Sequence, residues 1–166
     1  MSAVATRHIV GVGDMLVSAE PEAELITYAL GSCLGIIVHD PAAGVAGLLH
    51  TMLPESSIDP DDGWRQPARY VDTGVPALFR ECYRHGARKE RMTVKVAGGA
   101  SAGATPEADH FKIGKRNLVA LRRLLWKNGV LIAAEDVGGC QTARTVSVHV
   151  ATGEVILRLN GTHRSL

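Results

Sequence analysis

The segment that most restricts how this chain can fold is a pair of apolar runs joined by a turn: Leu34 to His39 (LGIIVH), Asp40-Pro41-Ala42-Ala43-Gly44, then Val45 to His50 (VAGLLH). Pro and Gly between two short aliphatic stretches specify a β-hairpin. With residues near 39 and 44 flanking the loop, position 33 falls opposite position 50. Opposed residues share a face of the sheet, with Cβ atoms about 4.5–5.5 Å apart. The hairpin therefore predicts Cys33, in Leu30-Gly31-Ser32-Cys33-Leu34-Gly35, beside His50. A slip of one residue would put them on opposite faces, so the pairing depends on register.

A thiol beside an imidazole suits nucleophilic chemistry, because the imidazole can accept the thiol proton and stabilise the resulting ion pair. Gly31 and Ser32 permit a tight corner whose backbone N–H groups point toward a developing oxyanion. A third group must orient the imidazole; Thr27, Thr51 and Ser32 are the local candidates, and Asp40 is the nearby carboxylate. The alternative for Cys33 is purely structural, since a cysteine in an apolar strand commonly acts as a small buried hydrophobe. Cys82, on an apolar helical stripe, reads as core, and Cys140, in Gly138-Gly139-Cys140-Gln141, as a loop thiol and weaker rival nucleophile. His39, at the turn, is expected to face solvent or to cap.

At 166 residues and 46% hydrophobic content the chain suits one domain, residues 1–166, with a substantial core. Eighteen basic against seventeen acidic residues leave a net charge of +1, which argues against nucleic acid or an anionic membrane as partner. The basic runs Arg84 to Lys89 and Arg122-Arg123 read as solvated faces. Met1 to Met15 lacks the apolar centre of a signal peptide, and no apolar run approaches the roughly 20 residues of a membrane helix. The expectation is a soluble, cytoplasmic monomer without cofactor. Three separated cysteines offer neither a disulfide framework nor zinc-ligand spacing, and His39 with His50 lacks further ligands, so no metal is expected.

Along the chain, Glu24 to Leu30 reads as a strand, Ile9 to Met15 as a further one in an N-terminal meander, and Pro54 to Gln66 as an exposed loop. Helical spacing predicts a helix over 67–85 stopped by Gly86, with Pro76 kinking it or delaying its start, and a second over 114–128 with Leu118, Leu121 and Leu125 inward. Strands are predicted at Met92 to Ala97, Val130 to Glu135, Thr145 to Val150 and Val155 to Leu159, the last two as a hairpin. Gly98-Gly99-Ala100-Ser101-Ala102-Gly103 lacks the ending of a phosphate-binding loop and reads as a backbone wall that another segment approaches closely. Strands with two interspersed helices make an α/β (α+β) fold.

Six motifs in order, Leu30-Gly31-Ser32-Cys33-Leu34-Gly35, His50-Thr51-Met52-Leu53-Pro54, Tyr70-Val71-Asp72, Gly98-Gly99-Ala100, Ile113-Gly114-Lys115-Arg116-Asn117 and Asp136-Val137-Gly138-Gly139, resemble the CheD family of chemoreceptor glutamine deamidases over nearly the whole chain. The resemblance implies an α/β deamidase fold, similar to a bacterial toxin domain that deamidates Rho-type GTPases. It implies a site of Cys33, His50 and Thr27. Cys33 would attack the carboxamide of a receptor glutamine, His50 would protonate departing ammonia and then activate water, and Thr27 would hold the imidazole. The implied substrate lies on the cytoplasmic methylation helices of methyl-accepting chemotaxis receptors. A CheC-type phosphatase is an implied binding partner, and a non-catalytic binding module is the reading of different class. The chain departs from the family's pattern around Ala97, Ala102 and Cys140, while Arg144 stands near the place of a family arginine.

Overall fold

A computed structural model describes residues 4–166. Among the described residues ten strands and three α-helices form two five-stranded sheets with helices on the outer face of one. The strands are β1 (Thr6–Ile9), β2 (Asp14–Ser18), β3 (Ala23–Leu30), β4 (Leu34–Asp40), β5 (Val45–Thr51), β6 (Thr93–Gly98), β7 (Ile132–Val137), β8 (Arg144–His149), β9 (Val155–Leu159) and β10 (Thr162–Ser165). The helices are α1 (Pro60–Arg65), α2 (Val71–Arg84) and α3 (Ile113–Lys127). One sheet runs β1-β3-β8-β9-β10 and the other β2-β5-β4-β6-β7. The fold is the mixed α/β class expected from the sequence.

Alternation along β4 and β5 divides the core in two. Ile37, Ala46 and Leu48 meet Leu25, Val146, Val148 and Leu157 of the other sheet, forming the layer between sheets. Leu34, Ile36, Val38, Val45 and Leu49 point the other way and pack against Val71, Val75 and Leu78 of α2 and Leu118, Leu121 and Leu125 of α3. Both strands are thus buried on both faces, which explains their unbroken apolar runs.

The hairpin forms with a different register from the expected one. Asp40 pairs with Val45, Gly35 with His50 and Leu34 with Thr51, so position 50 faces 35 rather than 33. The cause is the turn: Asp40 extends the strand and its Oδ1 accepts the N–H groups of Ala42 and Ala43, leaving four residues in the loop. The displacement is two residues, which conserves the face.

Other elements move relative to expectation. Ile9 to Met15 is mostly the connection between β1 and β2, and β1 and β2 enter different sheets; a consecutive meander occurs at β8-β9-β10. Pro54 to Gln66 contains α1, capped by Asp59, whose side chain accepts the N–H of Asp62. Helix α2 begins only at Val71 and carries Pro76 within it, and Gly86 follows its end at a φ of +92°. β7 starts two residues later than Val130. His39 is buried, its Nε2 3.0 Å from the Val150 carbonyl, rather than facing solvent. No helix among the described residues is long and apolar enough to cross a membrane.

Candidate active site

His50 lies near the end of β5 on the face turned to the other sheet, where β3 presents Thr27. Both side chains are fully buried. Thr27 Oγ1 lies 2.7 Å from His50 Nδ1 and 2.7 Å from the carbonyl oxygen of Val10. A hydroxyl has one proton, and the carbonyl can only accept, so Thr27 donates to Val10 and accepts from Nδ1–H. This fixes the tautomer: Nε2 carries the lone pair. That nitrogen is buried and has no hydrogen-bond partner, leaving a base poised for a proton.

β3 is shaped for this contact. Its pairing with β8 shifts between Thr27 and Leu30, where Ala29 adopts a left-handed φ of +57°. The bulge lets Thr27 and Leu30 both turn inward although they are an odd number of positions apart, with Tyr28 and Ala29 between them. Leu30 occupies the space above Gly35, the residue opposite His50; a Cβ on Gly35 would stand 2.7 Å from Leu30 Cδ1.

Cys33 occupies the bend between β3 and β4, partly buried against the same inter-sheet layer. Two residues before Gly35, it is a diagonal neighbour of His50, a relation spanning about 7–8 Å in a regular ladder. Its bend is held from three sides. The Gly99 N–H donates to the Cys33 carbonyl at 3.0 Å and the Ala100 N–H to that of Gly31 at 2.9 Å. Asn117 Nδ2, from the second turn of α3, donates to the Ser32 carbonyl at 3.0 Å and the Met52 carbonyl at 3.1 Å. One buried amide thereby ties the thiol-bearing bend to the segment leaving His50. The sequence flagged Asn117 only as part of a helix opening; a polar residue on the inward face with Leu118 and Leu121 was the signal available.

The expected backbone wall is present. Gly98, at φ +112°, would place a Cβ 2.1 Å from the Cys33 carbonyl oxygen, so only glycine fits there. Arg144, nearly fully buried, braces the wall: Nε donates to Asp136 at 2.8 Å and a terminal nitrogen to the Gly98 carbonyl at 3.3 Å. The backbone N–H groups of Ser32 and Cys33 donate to no other protein residue among those described, and the Cys33 N–H stands against its own thiol.

Burial favours the neutral form of both partners. Burial pushes the Cys33 thiol up and the His50 imidazole down. Burial thus works against a preformed thiolate–imidazolium pair in the free protein. Nε2 makes no hydrogen bond to the thiol in the free protein, so a proton transfer from thiol to Nε2 belongs to the attack on a bound substrate rather than to the resting site. The other sequence candidates do not hold the imidazole: Thr51 is buried on the helix-facing side without a partner, and the ring's one hydrogen bond goes to Thr27, not to Ser32. Asp40 sits at the far end of the hairpin. Burial opposes its charge, but the Arg88 N–H, the Arg91 guanidinium and the turn N–H groups outweigh it and hold the carboxyl at about 2. Cys82 is core, its thiol pushed by burial to about 12. Cys140 bridges to Ser101 in the wall. Among the described residues no cluster of three or more His, Cys, Asp or Glu could hold a metal.

Comparison with known proteins fits this geometry to a family. A family model described as CheD chemotactic sensory transduction matches residues 52–159. A Solibacter usitatus protein named probable chemoreceptor glutamine deamidase CheD is 47% identical over 158 residues, 95% of this chain and 92% of that protein. A Pyrococcus abyssi protein of the same name is 42% identical over 154 residues, 92% of each chain. The solved structure of a Bacillus licheniformis hypothetical protein, YfiH, aligns with a TM-score of 0.44 at 14% identity, covering 82% of this chain and 60% of that one, too distant to bear on function. By the family match and these near full-length identities, the chain belongs to the CheD family.

Proposed function

We propose that this chain, acting as one domain over residues 1–166 in the cytoplasm, is a protein-glutamine deamidase that converts glutamine side chains of chemoreceptors to glutamate. The observation that carries the reading is the Thr27–His50 hydrogen bond, which leaves a buried, unpartnered Nε2 beside the Cys33 bend. The names of the relatives supply the substrate class.

In the first half-reaction Cys33 Sγ attacks the side-chain carbonyl carbon of glutamine while its proton passes to His50 Nε2. The carbonyl oxygen takes the negative charge, facing the N–H groups of Ser32 and Cys33. Collapse of this intermediate breaks the C–N bond, and Nε2–H gives its proton to the leaving nitrogen, which departs as ammonia. A γ-glutamyl thioester on Cys33 and a neutral His50 remain. Nε2 then takes a proton from water, the oxygen attacks the thioester carbon, and the C–S bond breaks with proton return to sulfur. The products are glutamate and free Cys33. Nδ1–H stays on Thr27 throughout, so the ring turns no further than proton exchange requires.

The neutral resting pair favours a second reading, a binding module that uses the same surface on a receptor or a CheC-type phosphatase with weak catalysis. Incubation of wild type and Cys33→Ala with a receptor cytoplasmic fragment, followed by peptide mass mapping, separates the two. Gln-to-Glu conversion by wild type alone supports the deamidase; no conversion by folded wild type supports the binding module.

A further inference from the structure

The outward face of α3 carries positive charge that the fold itself does not use. Lys112, Lys115, Arg116 and Arg123 line a cleft of about 390 Å³, bounded on the other side by Pro54 and Glu55. All four cations are exposed, and none takes part in an ion pair among the described residues. Spacings of three, four, seven and eight residues put Lys115, Arg116, Val119 and Arg123 on one stripe of α3, and Lys112 directly precedes the helix. From position 112 to 123 this stripe extends roughly 16 Å at the helical rise per residue.

The arrangement works against local stability. Like charges three and four residues apart repel, and cations oppose the positive end of the helix dipole. The first turn of α3 contains no acidic residue, and no side chain caps it. Inside the fold Asp109 accepts the Lys112 N–H at 3.0 Å but pairs with none of the four side-chain cations, and a charge conflict left standing in this way is expected where an outside partner supplies the countercharge. The cleft also exposes carbon: Phe111 is 76% and Val119 45% exposed. A cationic stripe flanked by exposed apolar side chains matches an acidic amphipathic helix better than a phosphate polymer, for which the chain's net charge of +1 offers no broader field.

The cleft adjoins the candidate site. Arg116 neighbours Asn117, whose amide touches the Ser32 and Met52 carbonyls, and Pro54 lies two residues beyond Met52. Consecutive Cα atoms are about 3.8 Å apart, so a bound segment passes from the stripe to the Cys33 bend within a few residues.

We propose that this cleft binds the acidic face of the receptor helix on either side of the target glutamine and so selects which glutamine reaches Cys33. The proposal rests on the deamidase reading. It implies a preference for glutamines flanked by carboxylates three to four residues away. Because each deamidation creates a new carboxylate, conversion of one glutamine favours the next on the same face.

The test is steady-state deamidation of a receptor cytoplasmic fragment by wild type, the cleft variant Lys115→Glu/Arg123→Glu, and the charge-matched Arg80→Glu/Lys127→Glu, whose sites are exposed, unpaired and outside the cleft. The cleft variant is expected to lower kcat/KM at least tenfold, mainly through KM, with the gap closing as salt rises. The charge-matched variant is expected to stay within threefold of wild type. Equal loss in both variants, or none in the cleft variant, overturns the proposal. Absence of conversion by wild type would instead overturn the deamidase reading, and the two failures are distinguishable.

Discussion

Replacing Thr27 by Val removes one oxygen atom while keeping shape, and the structure states what it strands. Thr27 Oγ1 accepts from His50 Nδ1–H and donates to the Val10 carbonyl, each at 2.7 Å and fully buried. In Thr27→Val both groups lose their partner, and a buried unsatisfied group costs about 1–3 kcal/mol. The expected loss of stability is about 2–6 kcal/mol. For a chain of this size each kcal/mol shifts Tm by about 2–4 °C, so calorimetry is expected to show a fall of about 4–24 °C. The functional loss is separate. Without the acceptor, the Nδ1–H tautomer loses its preference, and Nε2 is the bare base in only part of the population. A preference of about 1–2 kcal/mol corresponds to roughly a five- to thirtyfold fall in kcat well below Tm. Thr27→Ser retains both hydrogen bonds and is expected to restore most of both quantities. Nitrogen-15 NMR of histidine-labelled wild type should show His50 protonated at Nδ1. Protonation at Nε2, or unchanged turnover in a folded Thr27→Val, would refute the tautomer argument.

Further predictions follow from the same geometry. The rate of Cys33 alkylation by iodoacetamide is expected to rise with pH through a raised thiol pKa, without a thiolate plateau near neutrality, and a plateau at low pH would contradict the neutral pair. For stability, the folded His50 pKa lies below the unfolded value of about 6.5, so the unfolded chain binds more protons as pH falls through that value and stability drops. The folded Cys33 and Cys82 thiols lie above the unfolded value of about 8.5, Cys82 at about 12, so stability also drops as pH climbs past 8.5. Differential scanning calorimetry should place the highest Tm between these limits. Asn117→Ala leaves the half-buried Ser32 and Met52 carbonyls without their shared donor and is expected to cost about 1–2 kcal/mol and to lower kcat more than it alters KM, read by denaturant melts and kinetics. Gly98→Ala drives a Cβ into the Cys33 carbonyl and is expected to cost about 3 kcal/mol in the same melts.

Much of the candidate site was legible because it is local. The turn residues between two apolar runs identify the hairpin, and an even displacement of register leaves Cys33 and His50 on one face even though the loop sits one residue further along the chain than expected. Choosing Thr27 over Thr51 and Ser32 was not possible from spacing, because the choice is made by the stacking of two sheets and by a bulge in β3 at Ala29. His39 was misjudged for the same reason: its partner, the Val150 carbonyl, is 111 residues away. β10 escaped notice because Thr162–Ser165 is exposed at every position and shows no apolar alternation. Helix α1 is six residues with a glycine inside it, too short for a helical period to register. The neutral state of the thiol and imidazole depends on burial, which a sequence does not display.

The most direct test of the Cys33–His50–Thr27 assignment is to mix wild-type protein with excess receptor cytoplasmic fragment, quench in acid during the first turnovers, and analyse the Cys33 peptide by mass spectrometry. The predicted result is Cys33 joined as a thioester to the γ-carbonyl of a receptor glutamine, at the position later recovered as glutamate. Undiminished Gln-to-Glu conversion by Cys33→Ala would contradict it.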